Sequence, residues 1–313
     1  MFIIATLLPR ENFNFSLTNS CYLNLVKKIS ILVIILLANF YAWSFVHHEK
    51  TRDLLTVIFL NIGQGDATYI EAPNGNSFLI DSSANEVVVR ELSKFLSYYD
   101  RTIDGHATTH PDLDHIGGTP SILSRYYVGK YFTYDESVES DLTRKIQNIL
   151  KSKDIPTDTL EVGDRIILDR AQNIYMDVLW PTDKFKSDDK NDLSIITRLV
   201  YGEISFVMTG DAPTQVEGML LREFPDLRTT VLKLGHHGSK TSTSQNFLTK
   251  LNPDYAVISA GLDNKYGHPS AEIVDRLENF FRAKNQNPAT QILKTTDGSV
   301  VFKSDGRAVW TIK

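Results

Sequence analysis

Thr109-His110-Pro111-Asp112-Leu113-Asp114-His115-Ile116-Gly117-Gly118 places two histidines and two carboxylates within six residues and closes on paired glycines. Nitrogen and oxygen donors without sulfur suit Zn²⁺, Mn²⁺ or Fe²⁺. The spacing is too tight for a structural zinc finger, and the single cysteine, Cys21, leaves no thiolate pair to build one. Alone, the segment could be an acidic turn carrying solvated histidines. Its surroundings argue otherwise: of eight histidines, His110, His115, His236, His237 and His268 fall in three short motifs.

Apolar runs at Thr56–Ile62, Ser77–Ile80, Ile204–Met208, Val231–Leu234 and Tyr255–Ser259 read as buried strands, with a weaker one at Gly105–Thr109. Helical patterns lie between them at Glu86–Leu96, Thr214–Phe224, Ser244–Leu251 and Ala271–Phe281, three of them behind Pro or Ser/Thr starts. Strand and helix alternate, so the class is α/β. The polar motifs sit where strands stop: Asp81, His110, Gly210-Asp211 and Gly235-His236-His237. Strand ends are where α/β proteins place sites.

The His110 motif resembles the H-x-H-x-D-H signature of the metallo-β-lactamase superfamily. More narrowly, the chain is similar to the hydrolase domain of the ComEC competence family. Ile62-Gly63-Gln64-Gly65-Asp66, the His110 motif, Thr209-Gly210-Asp211, His236-His237-Gly238-Ser239 and Tyr266-Gly267-His268-Pro269-Ser270 follow in that family's order. The resemblance spans residues 54–313. It implies an αβ/βα sandwich with a metal site at one edge between two sheets, and one or two divalent ions, Zn or Mn.

Carried over by position, the resemblance makes His110 and Asp112 ligands of one ion, Asp114 and His115 ligands of the second, and Asp211 a bridge. His236 or His268 completes the set; spacing does not separate them. His237 is expected either to support the ligands from beside them or to act as a general acid. Asp81 is expected to orient the ligand loop by hydrogen bonds. Asp66 is placed near the site, with an acidic turn cap as the alternative. Two departures stand out: Asp112 replaces a histidine of the signature, and no histidine lies between His115 and His236. Asn191, or Asp192, stands where the third imidazole belongs. Oxygen for nitrogen hardens the site towards Mn²⁺, and a one-metal site is a second possibility.

Gly238 to Ser244 offers Ser239, Lys240, further hydroxyls and a helix start beside the metal motif, a candidate phosphate cradle; an ordinary helix cap with a solvated lysine is the alternative. Ser187-Asp188-Asp189-Lys190 reads as a solvated loop. The activated water expected at such a site is the nucleophile, and Asp114, His237 and Lys240 are the residues expected to carry the catalysis.

The 313 residues fit one large domain plus an extension. With 42 % hydrophobic and 23 % charged residues the chain is globular, not disordered. A net charge of -5 argues against a general nucleic-acid coat but not against a nucleic-acid enzyme, which needs only a local basic patch. Ile29–Val46 is apolar except for Ser30, Asn39 and Ser44, long enough at ~1.5 Å per residue to cross a bilayer. Tyr41 and Trp43 lie towards its C-terminal end. A buried helix or a cleaved signal peptide competes with this reading, but the run is long, lacks a polar face and shows no cleavage site.

The organisation expected is a tail (1–28), a membrane anchor (29–46), a linker (47–53) and the hydrolase domain (54–313). Lys27 and Lys28 abut one end of the run, and Lys50 and Arg52 follow the other, so charge nearly balances. Adjacency favours the N-terminus inside and the domain outside the cell membrane. The function expected is a membrane-anchored phosphodiesterase or nuclease on DNA. A lactonase or β-lactamase, or a non-catalytic binding module, are the alternatives. No protein partner is inferable.

Overall fold

The computed structural model describes residues 16–51, 54–96, 99–133, 140–182, 185–262 and 264–312. The chain divides into two units, Met1–Arg52 and Asp53–Lys313. In the first, one helix runs over Ser16–Thr51. Its stretch Tyr22–Ser44 has mean hydropathy 1.9 and is long and apolar enough to cross a membrane. The helix extends beyond the apolar run at both ends because no proline or glycine interrupts Ser16–Thr51. Residues 16–28 of the expected tail are therefore helical, as are residues 47–51 of the expected linker; residues 1–15 lie outside the described part.

The second unit is the expected two-sheet sandwich. Its first sheet contains β1 (Leu55–Phe59), β2 (Thr68–Glu71), β3 (Ser77–Ile80), β4 (Thr102–Ala107), β5 (Tyr127–Thr133) and β6 (Thr157–Thr159). The second contains β7 (Arg165–Asp169), β8 (Ile174–Trp180), β9 (Ile196–Tyr201), β10 (Ile204–Met208), β11 (Val231–Lys233), β12 (Tyr255–Ile258) and β13 (Ile292–Lys294). The C-terminal hairpin of β14 (Val300–Ser304) and β15 (Val309–Ile312) returns to the first. The strand orders are β15-β14-β1-β2-β3-β4-β5-β6 and β13-β12-β11-β10-β9-β8-β7.

Side-chain alternation builds the layers. Leu55, Val57 and Phe59 of β1 join Ile204, Phe206 and Met208 of β10 in the core between the sheets. Their neighbours Ile58 and Leu60 face the opposite way, against Val88, Leu92, Ile122 and Ile146 of the helices on the first sheet. Val207 likewise turns to Val216, Leu248 and Leu277 of the helices on the second. Strands buried on both faces carry continuous apolar runs, which is why these segments are legible without alternation.

This arrangement gathers the polar motifs. β3 and β4 are parallel, as are β10, β11 and β12. Parallel neighbours end on the same side, so Asp81, His110, Asp211, His237 and Ser259 emerge together where the C-terminal strand ends of the two sheets meet.

Candidate metal centre

Three buried imidazoles, with the partly exposed His236 as a fourth, surround Asp211. Its Oδ1 lies 3.3 Å from His115 Nε2, and its Oδ2 lies 3.6 Å from His237 Nε2 and 3.9 Å from His110 Nε2. His237 Nε2 also lies 3.3 Å from Asp114 Oδ2. His110, His115 and His237 are each at most 1 % exposed and Asp211 3 %. Donor atoms of His110, His115 and Asp211, and of Asp114, His115 and His237, converge within 4.8 Å.

The outer nitrogen of each ring decides what the inner one offers. His237 Nδ1 lies 3.0 Å from the Ser259 carbonyl, which only accepts, so Nδ1 carries the proton. His115 Nδ1 donates to Asp81 Oδ2 at 2.8 Å. Thr109 Oγ1 spends its one hydrogen on Asp81 Oδ2 at 2.8 Å, so at 3.1 Å it can only accept from His110 Nδ1. In its neutral form each of the three rings therefore turns a lone pair inward at Nε2. None of these buried Nε2 atoms, nor Asp211 Oδ1, has a hydrogen-bond partner among the described residues. Buried polar atoms without partners are costly, and inward lone pairs beside carboxylates are the donor set of a divalent cation.

The electrostatics agree. Burial holds His110 down at about 3, with His115 pushing the same way, so it stays neutral. Burial would also lower His237, but Asp211 and Asp66 overcome it and raise the ring to about 10. Asp211 is held well below the ordinary carboxylate range because its neighbouring imidazoles outweigh burial. Burial would lower His115 as well, but Asp211 and Asp81 raise it well above its ordinary value, so this negative potential holds protons on His115 and His237 whose place a bound cation would take.

Local backbone geometry makes this packing possible. His236 and His237 adopt consecutive left-handed conformations, φ 48° and 56°. Asp81 and Ser83 do so as well, at φ 58° and 70°. Each costs about 1–2 kcal/mol in a residue with a Cβ, and such residues concentrate at functional sites. Gly65 is needed because a Cβ there would lie 2.3 Å from the Asp114 carbonyl.

The remaining expected residues fall into two groups. Asp81 is buried at the back of the site and accepts from Thr109 N, Thr109 Oγ1 and His115 Nδ1. Asp66 is also buried, paired with Lys233 and 3.5 Å from His237 Nδ1. The others form the rim. The Asp112 side chain is 41 % exposed, between Lys190 Nζ at 3.6 Å and His110 Nε2 at 3.8 Å. The His236 side chain is 28 % exposed, its Nε2 3.7 Å from Asp211 Oδ2. The His268 ring sits 5.5 Å from that of His236, under Tyr266. Lys240 is exposed, and Ser239 Oγ is engaged with Thr241 Oγ1 at 3.0 Å.

Three placements differ from the sequence expectation. His237, expected beside the ligands, aims Nε2 into their centre, while His236 stays partly exposed with Nε2 also 3.7 Å from Asp211 and His268 lies beyond it; two left-handed residues turn the rings of His236 and His237 this way. Asn191 Oδ1 is buried without a hydrogen-bond partner among the described residues. Ser194 meets the His110 ring, with Oγ 3.4 Å from His110 Nδ1 and accepting from Asp211 N at 3.2 Å. Asp192 is turned away and accepts from Ser187 Oγ at 2.6 Å. The helix following Lys240 starts only at Gln245, and the amides of Thr243 and Ser244 already donate to the Glu217 carboxylate. Sequence reading gave no role to Thr109, Ser194, Lys233 or Ser259.

The sequence model of the metallo-beta-lactamase superfamily matches residues 60–261, which contain this cluster. The chain belongs to that superfamily. Its fold is that of a metal-dependent hydrolase, and the superfamily implies divalent-metal binding, which the inward donors fit. ComE operon protein 3 of Bacillus subtilis is 28 % identical over 269 residues, covering 80 % of this chain and 33 % of that protein. Recombination protein 2 of Haemophilus influenzae is 28 % identical, covering 72 % and 26 %. The chain thus spans a third or less of these relatives. Among solved structures, the metallo hydrolase Igni18 of Ignicoccus hospitalis superposes with TM-score 0.52 at 17 % identity, covering 79 % of this chain and 98 % of Igni18. YhfI of Bacillus subtilis gives 0.51 at 11 % identity, covering 83 % and 100 %. At these identities the likeness concerns the fold.

Proposed function

We propose that the chain is a membrane-anchored, divalent-metal-dependent phosphodiesterase acting on DNA. The observation that carries the metal site is the convergence of the buried, unpartnered Nε2 atoms of His110, His115 and His237 on Asp211. His110, His115 and Asp211 would hold one ion; Asp114, His237 and Asp211 would hold a second, Zn or Mn. Bound there, a divalent ion supplies a Lewis acid and acidifies water at neutral pH.

The residues of the chain do the rest. Asp81, Thr109 and Ser259 fix the ring orientations from behind. The buried walls exclude bulk water from the donor atoms. Proton delivery to the leaving oxygen falls to a rim imidazole, His236, since the His237 side chain is 2 % exposed and both its nitrogens are engaged with the cluster and its support. Lys240 and Lys190 place positive charge on the exposed rim, where a phosphodiester's negative charge would be favoured over a neutral lactam. The name of the recombination relative and the resemblance to the ComEC competence family support DNA as substrate. The apolar helix supports a single-pass anchor, with the hydrolase domain outside the cell membrane.

The test compares single-stranded DNA, bis-nitrophenyl phosphate and a chromogenic cephalosporin as substrates of the metal-loaded chain in detergent. Phosphodiester turnover with little cephalosporin hydrolysis is expected. The reverse would move the protein to the small-molecule hydrolases, and inactivity on all three with metal bound would leave a binding module.

A further inference from the structure

Lys233 and Asp66 form an ion pair beneath the metal centre, and both side chains are 3 % exposed. They come from different sheets. Asp66 lies on the loop joining β1 to β2, and Lys233 ends β11, four residues before His237. Lys233 Nζ also donates to the Leu234 carbonyl at 3.1 Å.

The Asp66 loop touches ligand-bearing segments from both sheets. Asp66 N donates to the Asp114 carbonyl at 3.1 Å, and Ser83 N donates to the Asp66 carbonyl at 2.9 Å. On the other side Ser259 Oγ donates to the Gly65 carbonyl at 2.9 Å. Ser259 is the residue whose own carbonyl fixes His237 Nδ1, and Asp66 Oδ1 lies 3.5 Å from that nitrogen.

Charge accounting points the same way. Asp66, Asp81, Asp114 and Asp211 crowd one edge of the sandwich. Asp81 is taken up by Thr109 and His115. Without Lys233, Asp66 would be a further carboxylate within reach of Asp211 and His237, since donor atoms of these three lie within 4.8 Å of one another. The lysine ammonium engages it and leaves Asp114 and Asp211 as the carboxylates facing the imidazoles. Lys233 is too buried to touch a substrate.

We infer that Lys233 and Asp66 act together as a positioning clamp across the two sheets, setting the spacing between Asp114 and His237 and keeping Asp66 out of the ligand set. The inference rests on the metal-site reading above. A buried ion pair is weak support for folding and can be replaced by neutral side chains with little loss of stability, so its value here lies in where it holds the ligand loops.

The test removes both charges at once. Full-length wild type and the double variant Asp66→Asn/Lys233→Met, in the same detergent, are compared for melting temperature and for Mn²⁺ and Zn²⁺ affinity and stoichiometry by calorimetry. The double variant should melt within a few degrees of wild type yet bind metal at least about 10-fold more weakly, the size of effect expected when the groups supporting metal ligands are altered. Metal affinity and stoichiometry equal to wild type would overturn the clamp. Should the double variant not fold, the single Asp66→Asn variant is read in the same way. Wild type that binds no metal would instead defeat the metal-site reading itself, so the two failures are distinguishable.

Discussion

Thr109 Oγ1 stands 3.1 Å from His110 Nδ1 and donates its only hydrogen to Asp81 at 2.8 Å. One hydroxyl thereby fixes the tautomer of His110 and shares the carboxylate that fixes His115. Replacing Thr109 by Val keeps the shape and removes both bonds. Metal affinity should fall about 10–100-fold, and stability by about 1–3 kcal/mol through the buried groups left unpaired. Calorimetric metal titration and thermal melting read the two effects separately.

Asp211 faces three buried imidazoles, whereas Asp112 sits on the rim with its side chain 41 % exposed. Asp211→Asn should therefore cost more than about 100-fold in metal affinity, beyond what altering an outlying support would cost. Asp112→Asn should cost clearly less. Equal losses in the two variants, measured as bound metal per chain, would place Asp112 in the ligand set alongside Asp211.

His106 gives the fold a pH dependence separate from the metal site. It is fully buried, with Nδ1 3.1 Å from the Leu79 carbonyl and Nε2 3.2 Å from Thr119 Oγ1. Burial holds it at about 4, below its ordinary 6.5. Between those values the unfolded chain binds a proton that the folded chain does not, so stability is fully present above pH 6.5 and declines as the pH falls towards 4. The loss approaches about 3 kcal/mol. Denaturant unfolding from pH 7 to pH 4 should show a shallower decline in His106→Gln than in wild type.

Lys240 is exposed on the loop after His237. If it meets a phosphodiester, Lys240→Ala should lower phosphodiester turnover roughly 10–100-fold, about 1.4–2.7 kcal/mol, with metal content unchanged. Unchanged turnover of both DNA and bis-nitrophenyl phosphate would remove it from the substrate site.

Much of this architecture is legible locally. Ser77–Ile80 and Ile204–Met208 are strands buried on both faces, and burial of that kind writes itself as an unbroken apolar run. Placing the polar motifs at strand ends follows from those runs. β8 is harder to read, since Asp177 within it pairs with Arg165 of the neighbouring strand at the exposed face. The choice among His236, His237 and His268 was not legible, because it turns on two consecutive left-handed residues that spacing does not encode. Lys233 reads as one polar residue inside the strand run Val231–Leu234; its partner Asp66 lies far off in sequence and meets it only when the sheets pack. Ser194 is similarly brought to His110 by the pairing of distant segments, with Ile195 N donating to the Thr109 carbonyl at 3.1 Å.

In the proposed function His110, His115, His237, Asp114 and Asp211 form a metal centre that drives phosphodiester hydrolysis. Its most direct test is elemental analysis of the purified full-length chain in detergent, paired with bis-nitrophenyl phosphate turnover before chelation, after chelation and after return of Mn²⁺ or Zn²⁺. One or two divalent ions per chain are expected, with activity lost with them and restored on their return, and neither metal nor activity in Asp211→Asn. A chain that stays metal-free in millimolar Mn²⁺ and Zn²⁺, or whose turnover is indifferent to chelation, would contradict it.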